Sequence, residues 1–242
     1  MREEERIIIA LDVSTKEEMR RMLKMIHKPG CSVKVGLELY LQQGADVVRE
    51  LKAGGYSVFL DLKLHDIPHT VNRAMRGIAR VGADMVNVHA AGGSEMMKAA
   101  IEGLEEGATG KRPICLAVTQ LTSTDQVMLE NELLIEHPII DVITRYSELA
   151  YRSGLDGVVC SAWEARKIKA QTSEHFLAVT PGIRLQSDRA DDQKRVATPA
   201  QAKELGSDYI VVGRSITGAE NPGDAFNRVF GEWRNAKWKV KN

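Results

Sequence analysis

The chain is poor in the features that mark specialised classes of protein, beginning with cysteine. Only three of its 242 residues are cysteines, Cys31, Cys115 and Cys160, and they lie far apart in sequence. They form no Cys-x-x-Cys pair and no Cys/His cluster with zinc spacing. The sequence therefore predicts neither a disulfide framework nor a structural zinc site. Isolated cysteines in apolar runs are typical of buried thiols in a reducing compartment.

An excess of charge and a long hydrophobic run are also lacking. The 33 Lys and Arg residues balance the 33 Asp and Glu residues, so the formal net charge is zero. This balance predicts no binding to nucleic acid or membranes, and an anionic substrate would need a few well-placed side chains. The first apolar run, from Ile7 to Leu11, is too short for a signal-peptide core or a membrane span. The chain is therefore interpreted as cytoplasmic.

What the chain does have is one pattern repeated from end to end: a short β-branched run, a turn, and a stretch with helical periodicity. Most of the runs are rich in Val and Ile and lack alternation with polar residues, which is typical of parallel strands buried on both faces. Eight strands are predicted, at Arg6–Asp12, Ser32–Leu37, Ser57–Lys63, Met85–Ala90, Ile114–Leu121, Gly157–Ser161, Phe176–Gly182 and Tyr209–Ser215.

Helical stretches fill the gaps between these runs. They are predicted at Thr15–His27, Pro68–Val81, Gly93–Leu104, Pro138–Arg152, Ala162–Ala170, Pro199–Leu205 and Pro222–Trp233. Strands that alternate with helices and have no linker between them predict an α/β protein with a single (β/α)8 TIM barrel over residues 1–242. An open doubly wound sheet is the alternative, but no Gly-x-Gly-x-x-Gly follows the first strand.

In a (β/α)8 barrel the active site lies at the C-terminal ends of the strands, so polar residues at those ends are the candidates. Such residues follow or end most of the predicted strands: Asp12, Lys34, Asp61, Lys63, Asn87, His89, Gln120, Thr122, Thr180 and Arg214. His65 and His89 receive no catalytic role, because a lone histidine is more often a hydrogen-bonded structural residue.

The charged residues of the first three strands form the most informative group. Asp61 and Lys63 are two residues apart, so on a strand they share a face, and leucines alternate with them on the other face. Asp12 and Lys34 should face the same mouth, and Asp66 follows closely. A structural ion pair is the plain alternative. Two lysines would repel a metal ion, whereas a lysine held between aspartates keeps a proton that it can deliver to a carbanion.

Residues near the seventh and eighth strands predict a phosphate site. Gly213 allows close backbone approach, and Arg214 supplies charge and paired donors. The loop after the seventh strand is long and polar, and its Arg184 and Gln193 could close over a phosphate. The alternatives are an ordinary turn with a surface arginine and a surface excursion of the loop.

These residues together resemble the orotidine 5'-monophosphate decarboxylase family in its bacterial form, over essentially the whole chain. The stretch from Asp61 to Pro68 resembles the family's Asp-x-Lys-x-x-Asp signature. Further matching segments are Val33–Gly36, Asn87–Ala90, Leu121–Ser123, Val179–Arg184 and Val212–Ser215.

The resemblance implies decarboxylation of orotidine 5'-monophosphate to uridine 5'-monophosphate in pyrimidine synthesis, without a metal or organic cofactor. Lys63 would protonate C6 as carbon dioxide leaves, and Asp61 would lie beside the substrate carboxylate. Asp66, with Ile67 and Thr70, would reach the neighbouring subunit's site, which implies a homodimer.

The resemblance also implies substrate contacts. Asp12 and Lys34 would hold the ribose hydroxyls and order the charged array. Thr122 would meet the pyrimidine edge, and Pro181 would line the ring. The phosphate would be bound by Gln193, Gly213 and Arg214, with Arg184 in the closing loop.

Two alternatives to this function remain open from the sequence. One is a metal-dependent sugar-phosphate decarboxylase or aldolase of the same suprafamily, a ketogulonate-phosphate decarboxylase or a hexulose-phosphate synthase. Those resemble the chain in the Asp-x-Lys-x-x-Asp region but carry an acidic residue where this chain has Lys34, so Lys34 is the discriminating residue. The other is a phosphate-binding barrel without catalytic activity.

Overall fold

A computed structural model describes residues 3–26, 28, 30–186 and 196–237, and eight parallel strands in that part of the chain close into a barrel in the order β1 to β8. This arrangement confirms the predicted (β/α)8 TIM barrel. The strands are β1 Ile7–Ala10, β2 Ser32–Gly36, β3 Ser57–Leu64, β4 Met85–His89, β5 Ile114–Val118, β6 Gly157–Val159, β7 Leu177–Thr180 and β8 Tyr209–Val212.

All eight predicted strands are present, but seven of them end one to three residues earlier than predicted. The predicted strands included residues that follow the apolar runs, and the strands of the structure end before those residues. The clearest case is the eighth strand, predicted to run to Ser215. The chain turns at Gly213 instead, and a short helix begins at Arg214.

The helices surround the barrel. They are α1 Lys16–Ile26, α2 Leu37–Gln43, α3 Asp46–Ala53, α4 Pro68–Val81, α5 Gly93–Gly107, α6 Gln126–Asn131, α7 Ile139–Arg152, α8 Ala162–Gln171, α9 Pro199–Leu205, α10 Arg214–Thr217 and α11 Pro222–Asn235. The seven predicted helices are confirmed to within three residues at each end. The short helices α2, α3, α6 and α10 were not predicted, because segments of four to eight residues contain too few turns to show a clear period and these four, unlike the equally short α9, do not begin with a proline. Within the described residues, no helix combines the length and apolar character needed to cross a membrane.

The barrel interior is filled by a small apolar cluster below the mouth. Its members come from six of the eight strands and point inward: Ile8, Ala10, Phe59, Met85, Leu116, Val179, Tyr209 and Val211. A larger cluster fills the layer between the strands and the helices. Beyond this cluster, at the open C-terminal end, lie charged residues that follow β1 or belong to β2 and β3. A barrel enzyme has its active site at that end.

The opposite, N-terminal face carries a repeated hydrogen-bonded ion pair. Asp156 precedes β6, and its carboxylate accepts a 2.7 Å bond from the backbone N–H of Cys115 and two bonds, of 2.7 and 2.9 Å, from the guanidinium of Arg112. Two further aspartates are placed in the same way: Asp208 precedes β8 and pairs with Lys169, and Asp84 precedes β4 and pairs with Lys52. Each of these carboxylates also accepts a hydrogen bond from a backbone N–H. Each aspartate therefore ties the start of its strand to the preceding strand.

We expect Asp156→Ala to lower the free energy of unfolding by about 2–3 kcal/mol, because it removes charge-assisted hydrogen bonds and leaves Arg112 half-buried without its partner. Urea unfolding measures the change. The matched control is Asp46→Ala, which breaks an exposed ion pair with Arg49 and should cost less than about 0.5 kcal/mol. Equal losses in the two variants would show that the repeated pair adds no particular stability.

Candidate active site

Charged side chains from the first three strands meet at the C-terminal mouth, as their positions at strand ends predicted. The ammonium of Lys63 donates a 2.7 Å hydrogen bond to Oδ1 of Asp61. The Nζ atom of Lys34 lies 3.4 Å from Oδ2 of Asp61 and 3.0 Å from Oδ1 of Asp12. The four residues thus form a chain of alternating charge, Asp12, Lys34, Asp61 and Lys63.

The prediction placed Asp61 and Lys63 on a regular strand, but β3 is irregular at these two residues. Leu60 pairs with Val86 and Leu64 pairs with Val88, so β3 advances four residues while β4 advances two. Within this bulge Lys63 adopts a left-handed backbone conformation with φ of 52°. A residue with a Cβ pays about 1–2 kcal/mol for that conformation, so neighbouring contacts must hold it there.

Asn87 of β4 provides such contacts. Its side chain is buried, with an exposed fraction of 2%. Its Oδ1 accepts a 2.8 Å hydrogen bond from the backbone N–H of Lys63, and its Nδ2 donates a 2.7 Å bond to Oδ1 of Asp61. The sequence placed Asn87 at a strand end but assigned it no role. The signal that could have singled it out is an amide between two buried valines, Val86 and Val88, in the strand.

The electrostatics of the array keep its inner members ionised. Burial alone would raise the pKa of Asp61, but the ammonium groups of Lys34 and Lys63 and the hydrogen bonds from Lys63 and Asn87 outweigh it and lower the pKa. Burial would likewise lower the pKa of Lys34, but the carboxylates of Asp61 and Asp12 outweigh it and raise the pKa. Asp61 and Lys34 are therefore both charged at neutral pH.

These shifts predict how the array contributes to stability as pH changes. A lowered pKa for Asp61 means that its contribution is present above the unfolded-state pKa of about 4 and is lost as pH falls through the folded-state value. A raised pKa for Lys34 means that its contribution is complete below about pH 10 and is lost at higher pH. We expect the difference in unfolding free energy between wild type and Asp61→Asn to be constant from about pH 5 to 9 and to shrink below pH 4. Urea unfolding across that range measures it, and a difference that stays constant into acid would contradict the lowered pKa.

A cavity of about 160 Å³ opens beside the array. Lys34, Asp61 and Lys63 form its charged side, and Thr122 and Pro181 also line it. The rest of its wall is mainly apolar: Phe59, Val118, Leu121, Val159, Cys160 and Val211. The site thus combines a charged side with an apolar side, which suits a ligand that has both an apolar part and a polar or charged group.

A second cavity, of about 270 Å³, lies at the N-terminal end of the barrel and is lined by none of the predicted site residues. Its Asp84 and Arg112 belong to the ion pairs that tie the strands together. Because barrel enzymes carry their chemistry at the C-terminal face, the smaller cavity is the candidate site.

Asp66, Ile67 and Thr70 do not line the cavity of their own chain. They follow β3 and begin α4, and all three are exposed, Ile67 to 66%. Oδ1 of Asp66 accepts a 2.7 Å bond from the backbone N–H of Ile67. The prediction that these residues serve a neighbouring subunit stays a prediction.

The predicted phosphate residues lie beside the mouth, with one exception. Gly213 follows β8, and a Cβ at that position would lie 3.9 Å from Oδ2 of Asp12. Arg214 is exposed at the start of α10. Arg184 lies at the base of the long loop, where its backbone N–H donates a 3.0 Å bond to the carbonyl of Ala197. Gln193 lies outside the described residues.

The two histidines near the array are ring neighbours. The centroids of His65 and His89 are 5.6 Å apart. Burial lowers the pKa of His89, and the positive charges that His65 and Lys63 can carry lower it further. His89 is therefore neutral at pH 7. Across the described residues, no group of three or more His, Cys, Asp or Glu side chains is placed to hold a metal ion.

The fold is a closed (β/α)8 barrel, and an alternating charged array lies beside a cavity at its C-terminal mouth. This combination of fold and site is that of a barrel enzyme. Residues 5–229 match the model of the Orotidine 5'-phosphate decarboxylase / HUMPS family, and the chain belongs to that family. It is 58% identical over 228 residues to orotidine 5'-phosphate decarboxylase of Bacillus caldolyticus, and 57% identical over 228 residues to that of Geobacillus kaustophilus, with 93% of each chain covered in both cases.

Solved structures agree with these sequence relatives. The structure of orotidine 5'-phosphate decarboxylase from Lactobacillus acidophilus is 41% identical, covers 95% of this chain and 99% of its own, and superposes with a TM-score of 0.86. An uncharacterized conserved protein from Geobacillus kaustophilus is 52% identical, with coverage of 94% and 99% and a TM-score of 0.84. The predicted family, the barrel and the decarboxylase class are confirmed.

Proposed function

We propose that this chain decarboxylates orotidine 5'-monophosphate to uridine 5'-monophosphate in pyrimidine synthesis, with Lys63 as the proton donor. The observation that carries the mechanism is the placement of the Lys63 ammonium, held 2.7 Å from Asp61 at the wall of the cavity. The relatives' names support the reaction.

The chemistry needs a fixed positive charge. When the bond between C6 and the carboxyl group breaks, its electron pair stays on C6, and no carbonyl is placed to delocalise it. A cation fixed beside C6 stabilises that charge as it develops, most strongly in a preorganised and dry site. Lys63 then transfers a proton from Nζ to C6, carbon dioxide leaves, and the amine regains a proton from solvent.

Asp61 has two roles in this scheme. Its carboxylate anchors the ammonium groups of Lys63 and Lys34. Its lowered pKa keeps it ionised, so it also disfavours a substrate carboxylate placed next to it and thereby favours loss of carbon dioxide.

The remaining contacts of the nucleotide in this proposal are those that the family resemblance implies. The pyrimidine would lie in the cavity with its edge on Thr122 and its ring against Pro181, both of which line that space. Asp12 would hold ribose hydroxyls, because its side chain is 60% exposed and lies at the outer end of the array, next to Lys34.

The phosphate would lie on the backbone at Gly213 and on the guanidinium of Arg214, with Arg184 and Gln193 contributed from the loop after β7. The hydroxyl of Ser215 donates a 3.4 Å bond to the carbonyl of Ile183, which joins the loop's base to α10, the short helix after β8. Binding of a phosphate far from the reacting carbon can drive loop closure and so contribute to catalysis.

The active unit in this proposal is a homodimer. Asp66, Ile67 and Thr70 are exposed, and they follow Asp61 and Lys63 closely in sequence. Asp66 would reach the partner's site and complete the charged array there. A cytoplasmic location belongs to the same proposal and is supported by three cysteines that are all buried free thiols.

Lys34 favours this function over the metal-dependent alternative. Its ammonium lies between the carboxylates of Asp12 and Asp61, at 3.0 and 3.4 Å, and a divalent cation bound by those carboxylates would face its positive charge.

An ultraviolet assay with orotidine 5'-monophosphate, run with and without a chelator, tests the proposed function. We expect turnover that the chelator does not change. Turnover of a keto-sugar phosphate that the chelator abolishes would establish the metal-dependent alternative. Binding of the nucleotide without any turnover would establish the non-catalytic barrel.

A further inference from the structure

The side chain of Asn87 joins the two residues on which the proposed chemistry depends. Its Nδ2 donates to the Asp61 carboxylate at 2.7 Å, and its Oδ1 accepts from the backbone N–H of Lys63 at 2.8 Å. Only one orientation of the amide makes both bonds, because the carboxylate needs a donor and the N–H needs an acceptor. The residue is almost fully buried and is not among those that line the cavity.

The bond to Lys63 falls where β3 departs from regular pairing. Between Leu60 and Leu64 the register with β4 is broken, and Lys63 has a φ of 52°. A backbone N–H in such a bulge lacks its regular partner in the sheet, and leaving it unpaired in a buried place is costly. The Asn87 carbonyl takes the place of that partner and so holds Lys63 in a conformation that it would not adopt alone.

We infer that Asn87 is a positioning residue for the decarboxylation: it fixes the left-handed backbone of Lys63 and the carboxylate of Asp61, and thereby aims the Lys63 ammonium into the cavity. This role rests on the proposed function of Lys63. Oδ1 of Asp61 accepts from both Asn87 and the Lys63 ammonium, so a carboxylate released by Asn87 would move the ammonium with it.

A neutral amide is the side chain that this position requires. An aspartate has the same shape and can accept from the Lys63 N–H, but it can donate to Asp61 only when protonated. The charged and titratable groups around this point are Asp61, Lys63, Lys34, Asp12, His65 and His89. Two adjacent carboxylates share a proton more readily as pH falls, so the aspartate variant regains the missing donor in acid.

The kinetic test compares Asn87→Ala and Asn87→Asp with wild type. We expect kcat to fall about 100-fold in Asn87→Ala, because a displacement of about 1 Å at the reacting group has an effect of that size. Affinity for uridine 5'-monophosphate should stay within a few-fold, since Asn87 does not line the cavity. In Asn87→Asp, kcat relative to wild type should rise as pH is lowered from 8 to 5.

The matched control is Ser147→Ala, which removes a fully buried hydroxyl from α7 together with its 2.8 Å bond to the carbonyl of Ile143. It should keep the kcat of wild type at every pH. A kcat for Asn87→Ala close to wild type would overturn the inference. So would an Asn87→Asp variant whose kcat relative to wild type does not change with pH.

A crystal structure of Asn87→Ala provides a readout that does not depend on activity. We expect Lys63 to leave the left-handed region and the 2.7 Å contact between Lys63 and Asp61 to be lost. An unchanged Lys63 backbone would overturn the inference. If Asn87→Ala does not fold, the structure of the isosteric Asn87→Asp at pH 8 gives the same comparison. The wild type could lack turnover while the Asn87→Ala structure shows an altered Lys63. That pair of results would contradict the proposed function but would still support the role of Asn87 in positioning Lys63.

Discussion

Replacing Lys63 by alanine is expected to lower kcat for decarboxylation by about 10⁴-fold or more. The substitution removes both the fixed charge beside C6 and the proton that C6 receives, and effects of about 10²–10³-fold and 10²–10⁴-fold are usual for these two contributions. The rest of the cavity, including Thr122 and Pro181, stays in place. Binding of uridine 5'-monophosphate should therefore be retained in part.

Single-turnover kinetics and calorimetric titration with uridine 5'-monophosphate measure the two quantities. Lys98→Ala is the matched control: Lys98 forms an exposed ion pair with Glu95 on α5, and its loss should leave kcat unchanged. A Lys63→Ala protein with turnover near that of wild type would exclude Lys63 as the proton donor. If Lys63→Ala lost both nucleotide binding and turnover, the result would point to a binding role for Lys63 instead.

The second large effect is expected from mixing two inactive variants. Asp66→Ala and Lys63→Ala should each be inactive, and their mixture should recover about a quarter of the wild-type activity. The reason is statistical: about half of the dimers contain one subunit of each kind, and one of their two sites then has both Lys63 and the partner's Asp66 intact. Asp66 is exposed to solvent and does not line the cavity of its own chain, so it is free to reach the site of a partner subunit.

The control for this experiment is Lys63→Ala mixed with a variant that carries both substitutions. That mixture forms dimers equally well, but none of its sites holds an intact pair, so it should stay inactive. Subunit exchange is verified by mass spectrometry of isotope-labelled subunits. Complete exchange without recovered activity would place the role of Asp66 within its own chain.

The barrel itself could be predicted because its pattern is local. Each strand is a short apolar run buried on both faces, and each long helix shows its period within a few turns. The helices α2, α3, α6 and α10 were missed because they are too short to show a clear period and do not begin with a proline, as the equally short α9 does. Seven of the eight strand ends were placed too late because the predictions included residues that follow the apolar runs.

The site could be predicted only in part. The strand-end rule brought Asp12, Lys34, Asp61 and Lys63 to one mouth, and the structure places them there in an alternating array. The rule could not single out Asn87, because what makes that residue matter is its pairing with a bulge on the next strand.

By itself the sequence determined the order and type of the main elements, the closed barrel that follows from them, and the face on which the charged residues gather. These features depend on hydrophobic periodicity and on a general rule of barrel geometry. The tertiary structure alone decided the register break in β3, the left-handed Lys63 and the burial of Asn87 against it. The physical reason is that a bulge is defined by how two strands pair, and residues as distant in sequence as Asp61 and Asn87 show their dependence only when that pairing has formed.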